Sequence, residues 1–116
     1  MLDFSDRTVP PDIVVFELKG RMNSGTRLLD AEYAAKKLMS AGHKKLVVDI
    51  TGIEYMDSAA LGLLVLMTGM TAKEGGTAYV AGATPRVSEI FKISHAHMVL
   101  NLQDSLESAL RAFEAA

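Results

Sequence analysis

Two periodicities alternate along this chain, and the alternation limits the folds open to it. Ile13–Leu18 (IVVFEL), Leu46–Ile50 (LVVDI) and Thr77–Ala81 (TAYVA) are short runs rich in β-branched or aromatic residues and bounded by turn formers, which is how strands read. Between the first two, Leu28, Ala31, Ala35, Leu38 and Met39 recur at helical spacing from about Thr26. Asp30, Glu32, Lys36 and Lys37 lie mostly on the opposite face, and Gly42 stops the helix. Residues 58–73 read as a second helix broken by Gly75-Gly76. Thr84-Pro85 reads as a cap followed by proline at the first helical position, opening a helix to about Lys92. A first strand around Leu2 and Phe4 reaches Ile13–Leu18 through a Pro10-Pro11-Asp12 turn, and Gly20 ends that second strand. Met98–Leu100 supplies a last strand, and Asp104 with Glu107 a capping-box-like start to a final helix. The order β-β-α-β-α-β-α-β-α predicts an α/β fold, with a mostly parallel or mixed sheet and helical crossovers.

The bulk numbers narrow the chemistry. A chain of 116 residues is one domain, residues 1–116, long enough to bury a core. Its 49% hydrophobic content with a net charge of −2 describes a globular chain. No Lys/Arg stripe marks a nucleic-acid or anionic membrane surface. The absence of cysteine excludes disulfides, thiolate catalysis and Cys-ligated metals, and fits a cytosolic protein. The opening MLDFSDRTVPP lacks the pattern of a signal peptide. The longest apolar stretch, Ala59–Met67, falls far short of the roughly 20 residues of a membrane span. The chain reads as soluble.

The segment EYMDSAALG, residues 54–62, puts two small polar residues between a greasy strand and a greasy helix. In open α/β units, sites gather beyond the carboxyl ends of strands, where the next helix begins. Helix starts leave amide donors unpaired and carry about half a positive charge. Asp57 and Ser58 suit a plain helix cap. Ser58 is equally well placed to carry a phosphate, which would add roughly −1.5 to −2 charge beside those donors. The helix that follows is apolar nearly all round, so a partner or neighbouring helices must cover its outer side. Met67 and Met70 would suit an adaptable binding surface.

The stretch LVVDITGIEYMDSAALGLLVL, residues 46–66, resembles the signature of the anti-sigma factor antagonist family, the STAS domains. A hydrophobic strand ends in Asp, a short loop follows, and an Asp-Ser pair opens a helix containing Leu-Gly. VFELKGRMN (15–23) is similar to that family's strand and Gly-x-Leu-Asp opening. TAYVAGATPRVSEIFKIS (77–94) is similar to its later strand-loop-helix. The resemblance implies a regulatory module and not an enzyme. By that likeness Ser58 is phosphorylated by a serine kinase of the histidine-kinase-like ATPase fold, which doubles as the anti-sigma factor. The unphosphorylated form binds that kinase and frees the sigma factor, and a PP2C-type phosphatase restores it. The partner-binding residues implied are Asn23, Asp57, Ser58, Ala59, Leu61 and Gly62. Two departures stand out: Asn23 occupies a position commonly Asp, and Ala59-Ala60 replaces the usual Ser-Gly or Thr-Gly.

Other features carry less. His95 and His97 form an H-x-H pair that strand geometry would point one way, but no carboxylate pattern accompanies it. Gly75-Gly76 lacks the Lys and Ser/Thr of a phosphate loop, and Ser58 has no base at recognisable spacing. No catalytic residue, cofactor or metal ligand is assigned. A non-phosphorylated STAS scaffold in a transport or signalling complex is the alternative, and a small enzyme or nucleotide-binding domain the third.

Overall fold

The computed structural model describes residues 1–115. Its elements run β1 (Leu2–Val9), β2 (Ile13–Met22), α1 (Thr26–Ser40), β3 (Lys45–Met56), α2 (Ser58–Lys73), β4 (Thr77–Ala81), α3 (Pro85–Ile93), β5 (Asn101–Gln103) and α4 (Leu106–Glu114). The five strands form one sheet in the order β1-β2-β3-β4-β5. Antiparallel β1 and β2 close through the Pro10–Asp12 turn with Val9 opposite Ile13, and all later pairs are parallel. The expected element order and mixed α/β sheet are therefore present.

Strand order explains the layering. From β2 to β5 each strand is added beside the last without reversal, and right-handed crossovers then place every connecting helix on the same face. The side chains agree. Val14, Phe16, Leu18, Leu46, Val48, Ile50, Ala78 and Val80 pack with residues of α1, α2 and α3 in the main core. The alternate positions, Ile13, Val15, Val47 and Ala81, face the other way and meet Ala109 and Phe113 of α4. There the Tyr79 and Phe113 rings pack edge to face, with centroids 4.8 Å apart.

Four sequence expectations are corrected. The last strand is Asn101–Gln103, not Met98–Leu100; Ala96–Met98 form a 3₁₀ turn entered through left-handed His95. Met98 and Val99 are 75% and 58% exposed, while Asn101, Leu102 and Gln103 pair with Tyr79, Val80 and Ala81 through backbone bonds that need no apolar side chain. The same turn removes the strand geometry assumed for His95 and His97. The cap of α4 is Ser105, whose hydroxyl accepts from Ser108 N–H while Ser108 Oγ accepts from Ser105 N–H, so Asp104 and Glu107 are not the capping pair. Gly20 does not end β2: with φ +101° it sits at a bulge, and the strand continues to Met22.

The fourth correction sets up the site. Strand β3 does not stop at Ile50 but runs to Met56, so the short loop expected between Ile50 and the Asp57-Ser58 pair is strand. Strand β4 reaches only Ala81, opposite Asp49; beyond it β3 pairs with β2 alone, across two irregularities, up to Met22 opposite Met56. Glycine and polar residues there mask the strand in the sequence. The extension carries the α2 N-terminus out beside the end of β2.

Candidate functional site

Asp57 follows β3 directly and is the N-cap of α2, with extended backbone. Its Oδ1 accepts from Ala60 N–H at 3.0 Å, satisfying one of the donors a helix start leaves free. Its Oδ2 accepts from Ser24 twice, from the backbone N–H at 2.7 Å and the hydroxyl at 3.0 Å. Its own N–H donates to Met22 O at 3.0 Å. Burial raises the Asp57 pKa, but bonds from Ala60, from the Ser24 backbone and hydroxyl, and from Ala59 outweigh that and hold the carboxyl below its ordinary value.

Ser58 is therefore not the cap. It is the first helical residue, exposed, and its hydroxyl enters no hydrogen bond among the described residues. Asp57 takes the capping duty that either residue could have filled.

The structure brings most of the singled-out residues together. Met22 and Ser24 both bond to Asp57, so Asn23 between them is held beside the start of α2, itself exposed. Ala59 and Gly62 are exposed on the first two turns. Leu61 differs: it is half-buried against the main core. Met67 is fully buried and not part of any surface, whereas Met70 is exposed.

The all-round apolarity of α2 resolves into two faces. Ala60, Leu63, Leu64, Met67 and Thr71 are buried under the helix, and Leu61 and Leu66 flank them. Ala59, Gly62, Val65, Gly69 and Ala72 form an exposed stripe at helical spacing. Apart from Val65, the stripe consists of alanine and glycine. Sequence reasoning missed Ser24, whose partner lies 33 residues away, too far for any local pattern to signal.

Comparisons with known proteins bear on the family and the fold. The family model for the STAS domain matches residues 5–109. A Bordetella bronchiseptica protein named as an anti-sigma factor antagonist, BtrV, is 30% identical over 100 residues, covering 85% of this chain and 84% of that protein. The crystal structure of an anti-sigma factor antagonist from Mycobacterium paratuberculosis shares the fold with a TM-score of 0.86, at 19% identity over 97% of this chain and 93% of that one. The Bacillus cell fate determinant SpoIIAA in its phosphorylated form does so with a TM-score of 0.73, at 16% identity over 95% and 99%.

Proposed function

The chain belongs to the STAS domain family, and from that membership we infer that it is an anti-sigma factor antagonist, a cytoplasmic partner-switching regulator and not an enzyme. Unphosphorylated, it binds an anti-sigma factor that is also a serine kinase of the histidine-kinase-like ATPase fold. Phosphorylation of Ser58 ends that binding, and a PP2C-type phosphatase reverses it. The docking face comprises Asn23, Asp57, Ser58, Ala59, Leu61 and Gly62, extended along the exposed stripe of α2.

One observation carries this reading: Asp57 fulfils the cap, so the Ser58 hydroxyl stands exposed at the head of an apolar stripe. The kinase can reach it without unfolding α2. A phosphate there adds roughly −1.5 to −2 charge. It would sit next to the Asp57 carboxylate, in a surface that binding must dry. Like-charge contact or uncompensated desolvation at an interface costs several kcal/mol, and each 1.4 kcal/mol is tenfold in affinity. A weakening of about 100-fold needs no change of fold.

Calorimetric titration of the wild-type, Ser58→Ala and Ser58-phosphorylated chains against each such kinase of the source genome tests the reading. Wild type and Ser58→Ala should bind one of them alike, and the phosphorylated chain about 100-fold more weakly. Equal binding by all three would reject phosphorylation control, and binding by none would reject the antagonist reading.

A further inference from the structure

Three elements meet at Tyr55, two residues before the Asp57 cap. Arg21 of β2 pairs with Tyr55 across the parallel ladder, and Arg86 lies in the first turn of α3. Both guanidinium carbons lie over the Tyr55 ring, 4.8 Å and 6.0 Å from its centroid. The arginines are exposed and the tyrosine half-buried.

Among the described residues neither guanidinium has an ion-pair partner. Ion pairs among the described residues engage Lys19, Arg27, Lys36, Lys45 and Arg111, but not Arg21 or Arg86. Glu54, next to Tyr55, and Glu89, in the same helix as Arg86, form no ion pair with them among the described residues, and the Asp57 carboxylate is turned to Ser24 and Ala60. On a chain of net charge −2, two unpaired cations are thus held on one aromatic platform. A ring face restrains a guanidinium while leaving its N–H fork free, and that fork matches a carboxylate with two parallel bonds. Tyrosine and arginine are also the residue types that dominate binding hot spots.

We propose that Arg21, Tyr55 and Arg86 form an acid-reading corner of the docking face, which grips Asp or Glu side chains of the protein partner that binds α2. The proposal rests on the antagonist reading above and adds a determinant of partner choice. Complementary charge at an interface governs encounter rate and suppresses wrong partners. The corner therefore selects, among similar kinases, the one with carboxylates opposite it.

The test uses a purified serine kinase of the histidine-kinase-like ATPase fold from the source genome that binds the wild-type chain. Its affinity for wild type, R21Q/R86Q and R21K/R86K is measured at low and high salt, with a thermal melt of each variant. The double glutamine variant should melt like wild type, bind about tenfold more weakly at low salt, and respond less steeply to salt. The lysine variant keeps the charge but loses the planar fork, and should fall between the two. If R21Q/R86Q keeps wild-type affinity and salt response while Ser58 phosphorylation still releases the kinase, this proposal is overturned and the antagonist reading stands. If no such kinase binds the wild-type chain, both fall.

Discussion

The Asp57 carboxylate holds Ser24 across 33 residues of sequence: one oxygen accepts both the Ser24 N–H, at 2.7 Å, and its hydroxyl, at 3.0 Å. The other oxygen caps α2 through Ala60 N–H. A single side chain thus fixes the head of the helix bearing Ser58 and ties the loop bearing Asn23 to it.

Replacing that side chain should cost stability. Asp57→Ala loses the cap, about 1 kcal/mol on its own, and also leaves the Ser24 donors without their partner. A lower urea midpoint with an unchanged slope is expected. Ser58→Ala, by contrast, removes an exposed hydroxyl with no bond to lose and should leave the midpoint within about 0.5 kcal/mol of wild type.

The Asp57 bonds also set a pH dependence. Its folded-state pKa lies below the ordinary value, so its contribution is complete above the unfolded pKa of about 4 and is lost as pH falls through the lower folded value. The stability gap between wild type and Asp57→Asn should stay constant from neutrality to about pH 5 and close below about pH 4. Urea unfolding of both proteins across that range measures it. A gap that widened in acid would contradict the assignment.

Much of this was legible in the sequence, because strand and helix periods differ and the runs at Ile13–Leu18, Leu46–Ile50 and Thr77–Ala81 are apolar at most positions. Tyr79 and Phe113 needed the fold to be paired. What stayed hidden was structure made by backbone alone. Thr51–Met56 carries glycine and polar residues yet continues the ladder, and Asn101–Gln103 forms an edge strand without an apolar run. At the site, Asp57 and Ser58 could be singled out but their duties not divided, since both residue types cap helices well. Ser24 gave no local signal because its partner, the cap of α2, lies 33 residues away.

The two faces of α2 should respond differently to charge. Leu63, 4% exposed, packs in the main core, and Leu63→Asp should unfold the chain or lower its stability by several kcal/mol. Val65, 40% exposed, lies on the outer stripe, and Val65→Asp should melt like wild type while losing affinity for the kinase. Thermal melts beside titrations separate the two effects. A Val65→Asp chain that bound normally would remove this stripe from the docking face.

Glycines 75 and 82 offer a matched pair. Both have φ above +80°, but a Cβ at Gly75 meets nothing within 4 Å, whereas one at Gly82 collides with the Thr51 hydroxyl, itself bonded to buried Asp49 at 2.6 Å. Gly75→Ala should cost about 1–2 kcal/mol of backbone strain. Gly82→Ala should cost about 1–3 kcal/mol more from overpacking. Denaturant melts that ranked them equally would show that Thr51 moves aside freely.

The central claim is that Ser58 is the residue a kinase modifies. Intact mass, measured after the wild-type and Ser58→Ala chains are incubated with Mg-ATP in lysate of the source cells, tests it most directly. A gain of one phosphate by wild type alone is the predicted result. No gain in lysate that phosphorylates other proteins, or an equal gain by Ser58→Ala, would contradict it.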